Sequence, residues 1–375
     1  MFCEYFPSLK RLTRPASQQH GETGPSTAAA RSVGKSEARQ GVCEAEKIRA
    51  NTEVLNEKRG QPTKPVIIRS VVTSSFLMTT PSFAAADDVL FSSDDGSFIF
   101  FGGIGVANIK AQEFVYDGDQ KISQLNWESK GVTIFTVGVD AQIDNGWSLK
   151  GSVNFGTGGN GHMVDTDWDD RDDWSDRSIH PNTELGHYVG GAIELDRIIY
   201  RDDTTSIAVG AGYRYTDVKW TAYGGSGIYS SEGKFRDDHW KDPDWVRGIS
   251  YRQKVPVGFL SLSGEHVVGD LTISGALQSG LSFGIKDIDN HWLRNNQYHD
   301  YMDPAPVIGA TVAVNYALTP ATSLYLSGSF DWVFFGSRGD MKVHDGETRK
   351  NEFEKDSAGA TFQRTSISFG LKSRF

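Results

Sequence analysis

The fold prediction starts from the segment Ile308-Gly309-Ala310-Thr311-Val312-Ala313-Val314-Asn315-Tyr316. Apolar side chains, most of them large, stand at every second position and alternate with small or polar ones, which is typical of a β-strand with one apolar face. The same period of two recurs at 147–155, 207–215 and 324–332. No helix-period stretch of useful length interrupts the series, so the pattern predicts an all-β protein.

Short and long connections alternate between these strands. The short ones lie at 143–146, 201–205, 269–270 and 318–321, and the long polar ones at 157–184, 221–246, 286–305 and 336–362, with a shorter one at 117–121. The segments between them predict ten strands, at 96–116, 122–142, 147–156, 185–200, 206–220, 247–268, 271–285, 306–317, 322–335 and 363–375. An even strand number, with short turns at one rim and long loops at the other, is typical of outer-membrane barrels. The sequence therefore predicts an all-β, ten-stranded antiparallel transmembrane β-barrel with long extracellular loops.

Strand length and the last strand add to this prediction. A tilted strand crosses a bilayer in about 9–11 residues, and several predicted strands are longer, so we expect the barrel to project beyond the lipid on the extracellular side. The chain ends on Phe375, and Ile367, Phe369 and Leu371 share its apolar face. A C-terminal aromatic strand resembles the signal that the bacterial outer-membrane assembly machinery reads, which makes that machinery an expected partner.

Composition excludes several classes of protein. The 375 residues carry a formal net charge of -10, and an acidic chain without a basic block is a poor nucleic-acid binder. The mean hydropathy is -0.41 and no apolar run reaches 18 residues, which excludes a bundle of membrane-spanning helices. Both cysteines, Cys3 and Cys43, precede the predicted strands, so the strands need no disulfide.

The N-terminal segment differs from the rest of the chain. Residues 1–63 are rich in Ser, Glu, Lys and Gln with little periodicity, and we predict that they are unstructured or not part of the native protein. Residues 64–85 combine a basic flank, a short apolar stretch and a run of small residues, which predicts a signal peptide cleaved near 84–86. The alternative for this segment is a short buried strand. The barrel domain is expected over 86–375.

Two polar clusters lie at the rim that carries the long loops. Asp165 and Asp167 lie on the connection after the third strand, and Asp287, Asp289 and His291 extend the seventh. In extended backbone, residues two apart point the same way, so each cluster shares a face. Because the third and seventh strands lie roughly opposite in a ten-stranded barrel, we expect the two clusters to meet across its mouth.

This arrangement suits hydrolysis by an activated water molecule. His291 would be the general base, and Asp289 would set its tautomer and stabilise the imidazolium. Asp165 and Asp167 would hold the water from the other side, and two carboxylates that close share a proton.

The residues alone leave other functions open. Asp-rich extracellular loops are most often only solvated, and an Asp-x-Asp loop can bind Ca²⁺ through its oxygens. A non-enzymatic barrel, either an adhesin or a narrow cation-selective pore lined by the same acids, is a second class. An outer-membrane lipid hydrolase needs a serine beside a histidine, and no such pair stands out. The remaining histidines are interpreted as structural, since zinc-type spacing is missing: His162, His180 and His187.

The chain resembles the omptin family of bacterial outer-membrane endopeptidases over nearly all of 95–375. The motifs that carry the resemblance are His162-Met163-Val164-Asp165-Thr166-Asp167-Trp168, Trp174-Ser175-Asp176, His180-Pro181-Asn182-Thr183, Gly224-Gly225-Ser226, Ile228-Tyr229-Ser230-Ser231, Phe235-Arg236-Asp237-Asp238 and Asp289-Asn290-His291. The resemblance implies a ten-stranded barrel in the outer membrane, with an extracellular groove that cleaves peptides and proteins at Arg or Lys before the scissile bond, often at dibasic sites. It also implies attack by an activated water without a metal or a covalent intermediate.

The resemblance implies roles for individual residues. Four match the family's catalytic groups, as an aspartate pair and an Asp-His dyad: Asp165, Asp167, Asp289 and His291. Three are assigned to substrate binding: Glu113 and Asp287, which match the acidic pair of the pocket for the residue before the scissile bond, and Asp176. Two carboxylates in a partly desolvated pocket select a guanidinium or ammonium group.

The resemblance also implies lipopolysaccharide as an activating lipid, bound by basic residues on the outer barrel wall, and no other cofactor. We assign Tyr213, Lys219 and Lys254 to this surface. Asp217 stands where the family pattern has a basic residue, and Lys254 stands where it has arginine. Because lysine is a point charge and arginine a bidentate fork, we expect the lipid dependence to be weaker or differently arranged.

Overall fold

The computed structural model describes residues 98–144, 146–169, 172–231 and 234–375. These residues form thirteen β-strands: β1 (Phe98–Asp117), β2 (Gln120–Gln142), β3 (Trp147–Thr157), β4 (Asn160–Asp167), β5 (Asp176–Arg201), β6 (Thr205–Ser231), β7 (Lys234–Val268), β8 (Leu271–Ser282), β9 (Lys286–His291), β10 (Asn296–Met302), β11 (Ala305–Thr319), β12 (Thr322–Asp345) and β13 (Lys350–Arg374). Within the described part of the chain, no helix is both long and apolar enough to cross a membrane. The predicted signal peptide and the segment before it lie outside the described residues.

Ten of the strands form a closed antiparallel ring, which confirms the predicted barrel. The order is β1, β2, β3, β5, β6, β7, β8, β11, β12 and β13, and the ring closes where β13 pairs with β1, from Ile99 opposite Arg374 to Val115 opposite Ala358. Closure leaves no unpaired strand edge, which the hydrocarbon of a membrane requires because backbone groups cannot be hydrated there.

The other three strands continue the wall of the barrel at the end opposite Phe98 and Phe375. Strand β4 follows β3 after Gly158 and Gly159, whose φ angles of 70° and 92° allow the chain to bend, and it pairs with both β2 and β5. Strands β9 and β10 form a hairpin that fills the wall between β7 and β12. The wall of the barrel therefore continues above the ten-stranded ring through β4, β9 and β10.

The long connections are present, but most of their residues are β-strand. Strand β7 alone runs for 35 residues, about three times the 9–11 residues that cross a membrane. Alternation predicted only the lower part of each strand, because apolar side chains mark strand faces that meet lipid. Above the lipid both faces can carry polar groups, while backbone pairing still holds the strands together.

A band of exposed apolar side chains surrounds the lower barrel. Its members alternate along the strands, as in Phe100, Ile104, Val106, Val137, Ile193, Leu260, Leu262, Leu277, Val312, Leu326, Ile367 and Phe369. Leu260 and Leu277 are 68% and 64% exposed. A contiguous apolar surface of this extent needs a non-aqueous environment, and its place on an outer wall matches the lipid-facing band of membrane barrels.

The lumen behind this band is polar and closed by ion pairs. Lys150 Nζ lies 3.0 Å from Asp196 Oδ2, and Arg364 Nη2 donates to Asp331 Oδ2 at 2.6 Å. Arg214 pairs with the other oxygen of Asp331. These pairs link β3 to β5 and join β6, β12 and β13 across the interior. Ion pairs therefore fill the lower lumen and support the upper part of the barrel.

Candidate active site

The imidazole of His291 is held by a neighbouring carboxylate on β9. The pleat of this short strand turns Asp289 and His291 to the lumen, and His291 Nε2 lies 2.6 Å from Asp289 Oδ2. Asp289 is 2% exposed, whereas the His291 side chain is 16% exposed. The ring of Tyr298, on β10, packs edge-on against the imidazole at 5.1 Å. With Nε2–H donated to the carboxylate, Nδ1 keeps the lone pair that accepts a proton.

A second pair of carboxylates lies on β4. Asp165 faces Leu125 of β2 and Ser178 of β5 in register, and Asp167 faces Ser123 and Asp176. Burial raises the pKa of Asp165 to about 7, against the positive charge of Arg294. Burial, and then the charge of Asp165, raise the pKa of Asp167 well above its usual range. One strand thus holds two buried acids whose pKa values are both raised.

The two clusters face each other across the lumen. Asp289, on the opposite wall, raises the pKa of Asp165 by its charge, after burial and Arg294. It also raises the pKa of Glu113, on β1, where it is the largest influence after burial. Both clusters therefore belong to one groove, with the imidazole pointing into it.

The two acids expected in the substrate pocket are buried at the base of this groove. Glu113 is 4% exposed and Asp287 is 1% exposed. Tyr251 Oη donates to Asp287 Oδ2 at 2.7 Å, and Gln253 Nε2 donates to Tyr251 Oη at 3.1 Å and to the Thr361 carbonyl at 3.2 Å. Burial raises the pKa of Asp287 to about 7, although the Tyr251 hydroxyl opposes the shift. The hydrogen bond from Gln253, on β7, to Thr361, on β13, links two walls of the barrel that are not neighbours. The groove is therefore narrow at this level.

Asp176, the third expected substrate-binding residue, lies higher in the groove. It starts β5 directly opposite Asp167, and its Oδ1 accepts the Ser230 amide at 2.9 Å. This bond fixes one carboxylate oxygen and ties the start of β5 to the end of β6.

A stack of three aromatic rings, which the sequence analysis did not predict, lies below the acids and forms the floor of the groove. Trp127 stacks on Tyr251 with ring centroids 5.5 Å apart and on Trp220 at 6.3 Å, and all three are at most 1% exposed. Trp220 Nε1 donates to Ser129 Oγ at 2.9 Å. These inward aromatics carry no local signal of their role, because each comes from a different strand and they meet only across the closed ring.

A third buried acid, Asp300, was also missed. It lies on β10 directly opposite Asp287 of β9 and is 3% exposed. The segment 286–305 was predicted as a long polar connection, and only the row of Asp287, Asp289 and His291 at its start was given a face. The hairpin signal was available in Arg294-Asn295-Asn296, since Asn295 occupies the turn with a φ of 54° and asparagine tolerates that conformation.

The basic residues expected on the outer wall lie together there. Tyr213 is 46% exposed, Lys219 pairs in register with Arg252, and Lys254 pairs with Asp217. Arg252 donates twice to Asp217, from Nε at 2.8 Å and from Nη2 at 2.5 Å. Asp217, which departs from the family pattern, is thus matched by a guanidinium from the next strand.

The remaining histidines do not form a metal site in the residues that the structure describes. His180 is buried, with Nδ1 2.6 Å from the Gly224 carbonyl and Nε2 3.0 Å from Ser178 Oγ, and burial lowers its pKa. His187 Nε2 lies 2.9 Å from Asp217 Oδ1 on the outer wall. No group of three or more His, Cys, Asp or Glu side chains in 98–375, apart from the few residues not described, has the arrangement of a metal site.

Comparisons with known proteins agree with this architecture. The model of the omptin family matches residues 97–375. Protease 7 of Escherichia coli O157:H7 is 26% identical over 318 residues, which cover 80% of this chain and 98% of the relative. The outer membrane protease OmpP of Escherichia coli K12 is 28% identical, over 77% of this chain and 97% of OmpP. The crystal structure of the outer membrane protease OmpT from Escherichia coli matches with a TM-score of 0.73 and 25% identity, over 77% of this chain and 99% of OmpT. The chain therefore belongs to the omptin family of outer-membrane proteases.

Proposed function

We propose that this outer-membrane protease is an endopeptidase that cuts after Arg or Lys, often at dibasic sites, on the extracellular side. The observation that carries the proposal is the bonded pair of Asp289 and His291, at 2.6 Å, facing the buried acids of β4 across one groove. The basic specificity rests on Glu113 and Asp287, which are buried acids at the base of that groove.

The reaction needs only a water molecule and the groups of this groove. His291 Nδ1 removes a proton from a water held between the imidazole and Asp165, and the oxygen attacks the scissile carbonyl carbon as the carbonyl electrons move to its oxygen. Asp289 stabilises the imidazolium that forms. When the tetrahedral intermediate collapses, the C–N bond breaks and the imidazolium gives its proton to the leaving amine. The products are a carboxylic acid and an amine, and the acid then loses its proton to water or to the amine.

The pair of Asp165 and Asp167 has a different role from the dyad. Their raised pKa values mean that the pair retains a proton near neutral pH, so it can both accept and donate hydrogen bonds to the attacking water. Asp176, next to Asp167, would receive a substrate residue after the scissile bond.

Lipopolysaccharide is proposed as the activating lipid. Lys219, Lys254 and Arg252 form a basic surface with Tyr213 on the outer wall, at the upper edge of the apolar band, where anionic headgroups lie. Because Asp217 offsets part of this charge, we expect weaker phosphate binding than a wall with only basic residues would give.

The test is turnover of a fluorogenic peptide with an Arg-Arg site by protein refolded with lipopolysaccharide. His291→Ala should lower kcat by at least 10²-fold, since a positioned general base contributes about 10²–10⁴. His299→Ala, which removes a half-buried histidine from β10, is the matched control and should stay within about twofold. Unchanged turnover by His291→Ala, or equal cleavage of a peptide without basic residues, would overturn the proposal.

A further inference from the structure

The base of the groove holds one acid more than the substrate pocket requires. Asp300 lies directly opposite Asp287 in the pairing of β9 and β10, and cross-strand partners put their side chains on the same face of the sheet. Both acids therefore point into the groove from adjacent strands, toward Glu113 of β1. Glu354 of β13 faces the same space, since it pairs with Met341, as Asp300 does.

These acids carry oxygens that no protein group satisfies. Glu113 Oε2 and Asp300 Oδ1 are buried without a hydrogen-bond donor. Leaving such a group unpaired is destabilising, and more so if it is charged. Like charges directly opposite on neighbouring strands are also destabilising. The fold bears this cost in the driest part of the groove, which points to a cationic ligand that supplies the missing donors.

The electrostatics of Asp300 agree with this position. Burial raises its pKa well above the usual range, followed by the charges of Asp287, Asp289 and Glu354. A cation that enters the pocket replaces protons held by these carboxylates. Arginine is suited to this exchange because its guanidinium stays charged at every pH that the protein meets.

The spread of the acids favours a planar cation over a compact one. Within the described residues, these carboxylates do not have the arrangement that coordinates a single metal ion. They come from three different strands, β1, β9 and β10, so a cation in the groove would meet them from different sides. A guanidinium spreads five N–H donors over a plane, whereas an ammonium has three donors on one atom.

We propose that Asp300 is a third specificity-determining carboxylate of the substrate pocket and makes the protease prefer arginine over lysine before the scissile bond. The inference rests on the proposed function, because it assigns a further residue to the same pocket. Glu113 and Asp287 suffice to attract either cation, and Asp300 serves the additional donors that only the guanidinium has.

The experiment compares two peptides that differ only by Arg or Lys before the scissile bond. Asp300→Asn should lower kcat/KM for the Arg peptide roughly tenfold or more, since a hydrogen bond between charged groups contributes about 1.5–3 kcal/mol. The Lys peptide should lose less than about threefold, so the Arg/Lys ratio falls. Asp300→Glu should keep most of the Arg preference. Glu352→Gln, which removes an exposed charge from the same end of the barrel, should leave both peptides within about twofold.

A second measurement compares how strongly two small cations inhibit the wild-type protein and the variant. Butylguanidine should inhibit the wild-type protein more strongly than butylamine, and Asp300→Asn should remove the difference. An unchanged Arg/Lys ratio in Asp300→Asn, or equal losses for both peptides, would overturn the role of Asp300. If the wild-type protein cleaves neither peptide, the proposed function itself fails, and the assignment of Asp300 fails with it.

Discussion

At the residue scale, burial makes ordinary carboxylates into groups that titrate near neutral pH. Asp165 and Asp287 both have pKa values raised to about 7, mainly by desolvation, because an apolar or dry environment disfavours the charged form. Tyr251 moderates this effect at Asp287 by donating a hydrogen bond to the ionised carboxylate. The hydroxyl thus helps to set the pH at which the pocket becomes anionic.

This arrangement predicts how activity depends on pH. In the proposed pocket, ionised Asp287 attracts the cation of the substrate, so kcat/KM for basic peptides should fall as the pH drops through about 7. Tyr251→Phe removes the donor that lowers the pKa of Asp287, and it should move this limb of the kcat/KM profile to higher pH. Tyr301→Phe, on the exposed face of β10, is the control. Coincident profiles for wild type and Tyr251→Phe would contradict this role of the hydroxyl.

The residues of the site were predicted unequally from the sequence. Asp289 and His291 share a strand and a motif, so their spacing alone placed them on one face. Asp300 reaches the pocket only through the hairpin of β9 and β10, whose polar residues show no apolar alternation. Trp127 and Trp220 meet across the closed ring, so no local pattern indicates their contact.

At the element scale, the strands divide into a lower part that alternation predicts and an upper part that it does not. Strands that face lipid need apolar side chains on their outer face, so segments such as β8 and β11 show apolar residues at every second position. Above the lipid, pairing is kept by backbone bonds and by inward packing on the aromatic floor. The ten strands of the closed ring and the position of the short turns were therefore predicted correctly. The upper ends of the strands, strand β4 and the hairpin of β9 and β10 were not predicted.

The aromatic floor should contribute strongly to the stability of this upper part. Trp220 is fully buried and bonded to Ser129, so Trp220→Ala should lower the free energy of unfolding by about 3–5 kcal/mol. Trp245 is 80% exposed on β7, and Trp245→Ala should change that free energy by no more than about 0.5 kcal/mol. Urea-induced unfolding in detergent micelles, followed by circular dichroism, measures both. Similar losses in the two variants would show that the stacked rings do not support the barrel.

At the scale of the whole molecule, a single closed β-sheet is surrounded by lipid in its lower part and by water in its upper part. Its lower part presents an apolar band to lipid and a lumen closed by ion pairs such as Lys150 with Asp196. Its upper part stands in water and holds acids from β1, β4, β9 and β10 in a single groove. The apolar band thus sets the position of the groove relative to the membrane, and the basic surface lies on the outer wall of the same barrel.

The most direct test of the central claim is mass spectrometry of the bonds cut in a mixed peptide library, with and without lipopolysaccharide. We expect cleavage after Arg more often than after Lys, rare cleavage elsewhere, and a marked increase in rate when the lipid is present. Asp289→Asn should abolish the cuts while the β-sheet circular dichroism of the barrel persists. Cleavage after neutral residues, or undiminished cutting by Asp289→Asn, would contradict the assignment of the acids and the imidazole to a protease groove selective for basic residues.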